Sequence, residues 1–557
     1  MFKKKLLLLF CLFNFYSHSQ NSEFEKLNSR EIKNLSTLCK VWGFLKYYHP
    51  AVAKGNYKFD EDLLNLLPII KQAKNKEELS VIYLNWIEKL GGVKECKSCN
   101  RTSNVKYFNE NFNLNWIEDD NTFTDELVKK LKYIEKNRFH GDNYYVTTAN
   151  AGNIIVKHEE QYPNFEYPDA NYRLLSLFRY WNLVEYFFPY KYQMDERWDN
   201  VLIEMIPRFV NAKNATEYQL SILETVIKLD DTHAILYSEA INNFIGRKWI
   251  PFSFLIIDNK AVITNYFDES LAKENDLKIG DVIEKIENRS ISDILNEKLK
   301  YINGSNYNAK LKNAYAHIFN GSTDSLKITF NRNGIVTNKT IARYLFKNFK
   351  IKKEVGEKYK LLDNNIGYVN MSFLEMKDVD KMMSDLQSAT AIIIDYRKFM
   401  NFTPYMIARR IIQKEKEFAK FTKPDLSYPG KFIWDKTETI TPIKNKYYPG
   451  KIILLVNEET QSASEYATML LQTSENAITI GSQTSGADGN VSTIEFIGFK
   501  SHISGIGVFY PDGTQTQRKG VKVDILVSPT IKGIQEGRDE VLEKALQFIK
   551  ESKNKQK

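Results

Sequence analysis

The feature that most constrains the fold is a junction between a predicted strand and a predicted helix near residue 460. Residues 451–456 are mostly β-branched and aliphatic, which predicts a fully buried strand. Beyond the junction, Ala467 and Leu470 recur at helical spacing. Ser462, with Glu465 three residues later, resembles a capping box at the start of that helix. The pattern therefore predicts a serine between a buried strand and a helix N-terminus.

Ser462 has two interpretations at this position. A serine before a helix is most often an N-cap whose hydroxyl accepts a backbone N–H. The same position also exposes a nucleophile. First-turn N–H groups, that of Ala463 among them, then stabilise a developing oxyanion together with the helix dipole. Other segments of the chain are needed to choose between the two uses.

The N-terminus has the pattern of a secretory signal. Lys3, Lys4 and Lys5 precede the apolar stretch 6–13, and small residues follow up to Ser19. We expect cleavage after residue 19 and export to the periplasm or to the outside of the cell. No later run has the length of a membrane span, so we expect no stable membrane insertion. A chain of 557 residues also predicts about three to four domains.

Charge and cysteine usage argue against several classes of function. The formal net charge of +9 falls to +6 once the three signal lysines are removed, and it is too diffuse to indicate a nucleic-acid partner. Cys96 and Cys99 form a Cys-x-x-Cys pair, for which an exported chain favours a local disulfide. A zinc site needs two further ligands nearby, and none is evident. We expect no cofactor.

The first part of the chain contains an internal repeat. Residues 38–50 match residues 177–189 at an offset of 139, and each copy predicts an aromatic-rich amphipathic helix that ends at a proline. Two further helices are predicted in each copy, at 63–73 and 77–90 and at 201–212 and 217–229. We therefore predict an all-α repeat domain over residues 20–245, with its tryptophans and tyrosines in the core.

The middle of the chain, residues 246–348, changes to alternating strands and turns. Gly280 supplies the special backbone angle of a turn, and residues 282–287 predict a half-buried strand. With Asp281 and Ile283, this element resembles the Gly-Asp-x-Ile element of PDZ domains. The resemblance implies a PDZ-like domain, which takes an extended peptide by β-augmentation unless its groove is blocked.

The last part, residues 349–557, alternates short apolar strands with helices, which is typical of an α/β sheet. The strands are predicted at 366–371, 391–395, 452–456 and 477–480, and the helices at 379–387 and 403–413. A glycine-punctuated β region follows residue 486 and ends in a strand at 523–527. An amphipathic helix at 538–550 closes the domain.

Among the histidines, His233 has the most suggestive setting, because a serine nucleophile needs a base. It follows the last helix of the second repeat, in the run Leu229-Asp230-Asp231-Thr232-His233. His49 falls where the second repeat has Phe188, which indicates packing. A loop histidine after two aspartates is also common on ordinary surfaces, so this segment alone does not decide the matter.

Three motifs in the second half of the chain resemble those of one enzyme family. They are Ser462-Ala463-Ser464-Glu465, Gly481-Ser482-Gln483-Thr484-Ser485-Gly486 and Gly520-Val521-Lys522-Val523-Asp524. Their order and spacing are similar to those of serine peptidase family 41, the tail-specific or C-terminal processing proteases, from about Trp249 to Val527. The resemblance implies a multidomain protein whose residues 349–557 form an α/β protease core of the ClpP/crotonase type.

The resemblance assigns the base to His233 rather than to a lysine. The lysine-dependent members of the family carry that lysine where this chain has Ala487. The tricorn-core-like branch instead has a histidine in an Asp-x-His loop, which Asp231 and His233 match. In that branch the hydroxyl residue before the histidine helps to orient it, and this position is Thr232. A carboxylate completes the set there, at the position of Gln517, an amide that is able to hold the ring only by hydrogen bonding.

The predicted oxyanion hole departs from the family pattern. The family continues the strand 391–395 with Asn-x-Gly-Gly, whereas this chain has Lys398-Phe399-Met400-Asn401-Phe402. A non-glycine N–H donates equally well where the geometry allows it, so we expect Asn401 to contribute beside Ala463.

Together these residues predict an exported serine endopeptidase that cuts unfolded or tail-presented polypeptides through Ser462, with His233 as general base. The alternative is a catalytically weak or inactive protease fold that binds peptides or an apolar ligand. Carbohydrate hydrolysis is weaker, because no pair of carboxylates at a defined separation stands out. Nucleotide binding is not indicated, since residues 481–489 lack a Walker lysine.

Overall fold

The structure is a computed structural model that describes residues 26–97, 99, 105–162, 165–352, 354–398, 400 and 403–554. The predicted signal peptide, residues 1–19, lies outside the described residues. Helices dominate the first part of the chain, and sheets dominate the rest. In the described part of the chain, no helix combines the length and the apolar character that crossing a membrane requires.

The first part, up to residue 245, is mainly helical. Its helices are α1 (Ser29–Tyr48), α2 (Pro50–Ala53), α3 (Phe59–Gln72), α4 (Lys76–Lys89), α5 (Asp125–Lys136), α6 (Ala170–Phe187), α7 (Trp198–Asn211), α8 (Ala215–Ile227) and α9 (Glu239–Ile245). Short strands also occur here, namely β1 (Tyr107–Phe108), β2 (Val146–Thr148) and β3 (Ile154–Val156). The prediction of an all-α domain is therefore wrong in detail. The segment between the two helical copies forms the β2–β3 hairpin and pairs Tyr107 with Ile433 of the last part of the chain.

The two helical copies make the same internal hydrogen bonds. The Trp42 indole N–H donates to the Phe59 carbonyl at 3.0 Å, and the Trp181 indole N–H donates to the Trp198 carbonyl at 3.0 Å. In both copies the donor and the acceptor are 17 residues apart. Each bond ties the long first helix of a copy to the start of its second helix. The repeated sequence therefore produces a repeated fold.

The copies also share their caps and contact each other at equivalent positions. Asn75 caps α4 and Asn214 caps α8, in each case by accepting the N–H of a glutamate three residues later. Tyr47 of α1 lies against Tyr186 of α6, with ring centroids 5.1 Å apart. Because residues at the same repeat position meet, the two units pack around a local pseudo-twofold axis.

The Cys-x-x-Cys pair closes on itself. Cys96 and Cys99 are joined by a disulfide, which confirms the favoured interpretation of that pair. Cys39 is buried within α1. Over the described ranges, no three His, Cys, Asp or Glu side chains are grouped as a metal site would require.

The middle part forms an antiparallel sheet with flanking helices. Its strands are β4 (Lys248–Trp249), β5 (Phe252–Ile257), β6 (Lys260–Tyr266), β7 (Val282–Ile286), β8 (Arg289–Ser290), β9 (Ser325–Arg332), β10 (Ile335–Ala342) and β11 (Tyr344–Leu345). Its helices are α10 (Glu269–Glu274), α11 (Ile291–Lys298), α12 (Tyr307–Asn313) and α13 (Tyr315–Phe319). The strand order is β10-β9-β7-β6-β5, so β5 is an edge strand, and α12 lies beside it.

The predicted turn before β7 is confirmed. Gly280 has φ of 91°, a left-handed angle that glycine adopts without steric cost. The buried Asp281 carboxylate accepts two hydrogen bonds from the Arg332 guanidinium and one from the Lys278 N–H. The turn is thus held by a buried ion pair to the neighbouring strand β9.

The last part contains the predicted α/β sheet. Its strands are β12 (Tyr359–Leu362), β13 (Ile366–Asn370), β14 (Ala391–Asp395), β15 (Lys416–Pro424), β16 (Phe432–Trp434), β17 (Glu438–Ile440), β18 (Lys451–Val456), β19 (Ala477–Gly481), β20 (Val491–Phe496), β21 (Phe499–Ser504), β22 (Gly507–Phe509) and β23 (Ile525–Leu526). Its helices are α14 (Val379–Asp385), α15 (Pro404–Ile411), α16 (Ala463–Leu471), α17 (Ile531–Gln535) and α18 (Glu540–Asn554). The strands predicted at 366–371, 391–395, 452–456 and 477–480 are confirmed.

The main sheet places several loops at one edge. Its order is β12-β13-β14-β18-β19-β23, and all neighbours from β13 to β23 are parallel. Parallel strands end at the same edge, so the loops after β14, β18 and β19 meet there. Helix α18 covers one face of the sheet with Val541, Ala545 and Ile549.

The β20–β21 hairpin connects this sheet domain to the helical part. The Phe496 ring stacks on Tyr180 of α6 with centroids 4.1 Å apart, and the Ile497 N–H donates to the Ser176 hydroxyl. The last helical loop, which carries His233, is thereby held near the loops at the edge of the sheet.

Candidate active site

Ser462 stands at the junction that the sequence predicts, between β18 and α16. Its φ of 53° and ψ of −118° lie outside the broad regions allowed to a side-chain-bearing residue. Such a conformation costs about 1–3 kcal/mol and persists only where its surroundings fix it. A strained strand-to-helix turn of this kind presents a serine hydroxyl away from both elements, as in the nucleophile elbow of α/β-hydrolases.

Glu465 is the residue that fixes this turn. Its buried carboxylate accepts hydrogen bonds from the Thr484 hydroxyl at 2.5 Å, the Gly486 N–H at 2.8 Å, the Ala487 N–H at 3.0 Å and the Ser462 N–H at 3.2 Å. Burial raises the pKa of Glu465, and these hydrogen bonds oppose that shift. One side chain thus ties the serine to the loop 484–487.

Of the two predicted oxyanion donors, Ala463 and Asn401, the structure describes only Ala463. Ala463 is the first residue of α16 and is exposed, and its N–H makes no hydrogen bond in the described part of the chain. It is therefore positioned as a free first-turn donor. Asn401 lies outside the described residues, so its contribution stays a prediction.

His233 lies in the loop after α8, where a serine and an aspartate hold its ring. The Ser504 hydroxyl lies 3.0 Å from His233 Nδ1 and donates to Asp231 Oδ1 at 3.1 Å. Because a hydroxyl has one proton to donate, Ser504 accepts from the Nδ1–H of the histidine. The neutral ring then carries no proton on Nε2. Nε2 makes no hydrogen bond within the described ranges and is the nitrogen able to accept a proton.

Asp231 organises this loop as well as the ring. Its carboxylate accepts the His233 N–H at 3.1 Å and the Ser504 N–H at 2.7 Å. Burial lowers the pKa of His233, and the Asp231 charge partly offsets that effect. The balance keeps the imidazole neutral around neutral pH, which is the form a general base requires.

In the described part of the chain, neither Thr232 nor Gln517 makes a hydrogen bond to the imidazole ring. The Thr232 hydroxyl bonds the Ser305 hydroxyl at 3.0 Å and the Ser485 carbonyl at 3.2 Å. Gln517 Nε2 lies 3.5 Å from Asp231 Oδ1, at the limit of a hydrogen bond. Among the described residues, the hydroxyl that holds the ring belongs to Ser504, which no local sequence pattern singles out.

The loop 484–489 joins the serine to the histidine segment. The Ser462 N–H donates to the Ala487 carbonyl at 2.9 Å, and Ser485 bonds both the Thr460 carbonyl and the Thr232 hydroxyl. Ala487 is buried at the position where a lysine would stand in lysine-dependent relatives. No hydrogen bond between Ser462 and the His233 ring is present in the described part of the chain.

A second link comes from Lys312 of α12, which the sequence did not single out. Its amine donates to Gln461 Oε1 at 2.9 Å and to the Ser485 hydroxyl at 3.0 Å. Burial lowers the pKa of Lys312, while nearby glutamates oppose the shift. The contact spans 149 residues of sequence and crosses two parts of the fold, so no local pattern predicts it.

Ser462 and Ala463 line a cavity of about 660 Å³. This volume lies within the range of about 300–1,000 Å³ that is usual for ligand sites. Tyr405, Phe421 and Tyr466 form an aromatic wall, and the start of β20 forms another side. Ser462 thus lines a space that admits a side chain of a polypeptide.

The part of the chain that contains Ser462 is similar to known proteins. The sequence model of peptidase family S41 matches residues 365–527, which include Ser462, Glu465 and the loop 484–489. A search of curated proteins found no match. Among solved structures, mature CPAF is 13% identical and aligns over 69% of this chain and 98% of its own, with a TM-score of 0.54. CPAF complexed with lactacystin gives 12% identity, coverage of 69% and 99%, and the same TM-score.

The photosystem II D1 C-terminal processing protease is 14% identical, over 65% of this chain and 96% of its own, with a TM-score of 0.39. At these identities the CPAF structures establish a shared fold and nothing more. The TM-score of the D1 processing protease is too low to support an argument. The family match confirms the resemblance that the three motifs indicated. Residues 365–527 therefore match peptidase family S41, the family of serine peptidases that the three motifs resemble.

Proposed function

We propose that this peptidase is an exported endopeptidase that cuts unfolded or tail-presented polypeptides, with Ser462 as nucleophile and His233 as general base. The observation that supports the base most directly is the chain from His233 Nδ1 through Ser504 to Asp231, which leaves Nε2 as the proton acceptor. Export rests on the sequence pattern of residues 1–19.

The proposed reaction has two stages. Ser462 Oγ attacks the scissile carbonyl carbon while its proton passes to His233 Nε2, and the Ala463 N–H donates to the carbonyl oxygen as it gains charge. The protonated imidazole then gives its proton to the leaving amine. Water attacks the resulting acyl-serine and loses a proton to Nε2. As the peptide acid leaves, this proton passes to Ser462 Oγ, which restores the hydroxyl and the neutral imidazole.

Substrate binding is expected to bring the serine and the histidine together. Catalytic hydrogen bonds are often long before substrate binds and tighten in the complex. The connection through Ser485 allows a small movement of loop 484–489 to act on both residues. A substrate that enters the cavity would press against this loop near Asp488 and Gly489.

We further propose that the middle part is a PDZ-like domain that presents the substrate. Edge strand β5 and helix α12 border a groove of about 140 Å³, which Lys312, Glu458 and Glu459 also line. An extended peptide that adds to β5 would reach the turn just before Ser462. We likewise propose that the α/β core is of the ClpP/crotonase type.

A test uses an unfolded polypeptide substrate and a fluorophosphonate probe with wild type and Ser462→Ala. We expect loss of both cleavage and labelling in the variant. Cleavage that persists in Ser462→Ala would overturn the assignment of the nucleophile. Thr473→Ala is a matched control, because Thr473 is a hydroxyl residue just after α16 that does not line the cavity.

A second candidate is a protease fold that only binds peptides or an apolar ligand. The observation that favours it is the missing hydrogen bond between Ser462 and His233 within the described ranges. A protein that binds a peptide from the test substrate, yet neither cleaves it nor reacts with the probe, would establish this candidate.

A further inference from the structure

A buried carboxyl, Asp488, lies on the wall of the cavity that also contains Ser462. Asp488 is buried, with only 3% of the residue exposed. The Gly489 N–H donates to Asp488 Oδ1 at 2.6 Å, whereas Oδ2 is buried and has no hydrogen-bond partner among the described residues. A buried polar atom without a partner is costly, and it often marks a place where a ligand binds.

The groups that face Asp488 supply no positive charge. They are Glu465 and Tyr466 of α16, Tyr190 after α6 and Tyr510 after β22. Within the described part of the chain, no lysine, arginine or histidine forms an ion pair with it. Burial, with a smaller contribution from Glu465, raises the pKa of Asp488 well above its usual range.

The rest of the cavity suits a long cationic side chain. Tyr405, Phe421 and Tyr466 offer aromatic rings against which the stem of a lysine or arginine packs. Glu438 adds a second, exposed carboxylate at the wall. Lys423, which also lines the wall, already forms an ion pair with Asp435. The wall of the cavity is therefore aromatic and acidic, and the charge of Lys423 is balanced by Asp435.

Building on the proposed function, we propose that Asp488 is a specificity-determining residue that binds the lysine or arginine side chain next to the scissile bond. Ser462, Ala463 and Asp488 line the same cavity. A substrate side chain that enters this cavity therefore belongs to a residue beside the carbonyl that Ser462 attacks. Trypsin selects basic residues in the same way, by an aspartate in the pocket that binds the side chain next to the scissile bond.

Binding of a cation is coupled to a proton. Asp488 releases its proton to solvent and becomes the carboxylate that pairs with the bound ammonium or guanidinium group. Affinity for a cation therefore rises with pH through the pKa of Asp488 and falls when the carboxyl is protonated. Burial and the nearby Glu465 keep this pKa high until the cation arrives.

The first test compares peptides that differ only at the residue before the cleaved bond, with arginine, lysine or uncharged norleucine there. In wild type we expect kcat/KM for arginine to exceed that for norleucine, and Asp488→Asn to reduce this ratio by about ten- to a hundredfold. Glu438→Gln removes the same charge at the exposed wall and should change the ratio much less. An equal ratio in wild type and Asp488→Asn would overturn the proposal.

Folding of Asp488→Asn is checked by its melting temperature. Because the folded state raises the pKa of Asp488, ionisation at neutral pH opposes folding, and the asparagine removes that cost. The variant should therefore melt no lower than wild type at neutral pH. A lost preference for arginine in a variant that melts normally is then assigned to the side-chain pocket.

The second test does not depend on peptide cleavage. Benzamidine, a small aromatic cation, is titrated calorimetrically into the Ser462→Ala protein and into the Ser462→Ala, Asp488→Asn protein. We expect binding to be at least about tenfold weaker in the second protein, and affinity in the first to fall as pH is lowered. Equal affinities would overturn the proposal even if the peptidase is active, and a clear difference would support it even if the peptidase is inactive.

Discussion

Each copy of the helical unit ends in a loop. The two loops have a positive φ at the same repeat position, but they carry different side chains. The loop after α4 begins Leu90-Gly91-Gly92, and the loop after α8 begins Leu229-Asp230-Asp231 at the same repeat positions. Leu90 and Leu229 are each 2% exposed. Gly91 and Asp230 both have positive φ, 84° and 48° respectively.

The difference lies in what each loop contacts. Gly91, Gly92 and Lys94 are exposed, whereas Asp231 and His233 are buried against the sheet domain. The first copy shows that the helical unit folds with two glycines at this point. The carboxylate and the imidazole of the second copy therefore serve its contact with Ser504 and not the fold of the unit. The first copy is thus an internal control for the second.

The largest expected effect separates His233 from its counterpart Lys94. His233→Ala should lower kcat/KM by about a hundred- to ten-thousandfold, the usual contribution of a general base. Lys94→Ala should leave activity unchanged, because that residue is exposed. Cleavage assays of both purified variants would measure this contrast, and comparable losses in the two would remove the functional distinction between the copies.

The pH profile of Asp231→Asn tests whether this aspartate of the second copy acts on His233. In wild type, burial lowers the pKa of His233, so kcat/KM should fall with acid only below the usual histidine value of 6.5. The Asp231 charge raises that pKa, and its removal should move the inflection still lower while reducing the plateau by about tenfold or more. An inflection that stays in place, or moves up, would show that Asp231 does not act on His233.

The shared architecture is tested by matched tryptophan variants. Trp42→Phe and Trp181→Phe each remove one indole hydrogen bond at equivalent positions and leave a small gap. Each should lower the free energy of unfolding by about 2 kcal/mol, and the two losses should be similar. Denaturant titrations measure both, and a large loss in only one copy would contradict structural equivalence.

Asp230→Gly should have the smallest effect. Glycine relieves the positive φ of this position, as Gly91 does in the first copy. The change also removes a buried carboxylate that pairs with Lys310 at 3.1 Å and Arg518 at 3.7 Å and accepts the Asp195 N–H at 2.9 Å. The opposing terms leave a net loss of about 1 kcal/mol in the free energy of unfolding. Thermal unfolding provides the value, and a loss of several kcal/mol would mean that the loop depends on this aspartate.

Local patterns predicted much of the fold. The apolar runs at 391–395 and 451–456 correspond to β14 and β18, and the offset of 139 identified the duplicated helices. These features follow from short-range periodicity, which a single sequence displays. Short strands such as β1 escaped prediction, because its pairing partner Ile433 lies more than three hundred residues away.

In the candidate site, the sequence motifs contain Ser462, Ala463, Asp231 and His233 but not the residues that connect them. Ser504, which holds the imidazole, is 271 residues from His233, and no spacing rule connects them. Asp488 sits in a glycine-rich loop where its burial results from packing of α16 and the strands around it. Roles that arise from tertiary contact become visible only when distant segments are placed together.

The most direct test of the central claim is the rate at which a fluorophosphonate modifies Ser462, with the modified residue mapped by mass spectrometry. Wild type should be labelled at Ser462, with a rate that falls with acid below pH 6.5. His233→Ala should be labelled at the same residue at least about a hundredfold more slowly, because no base accepts the hydroxyl proton. Equal rates in the two proteins, or a label on another residue, would contradict the account.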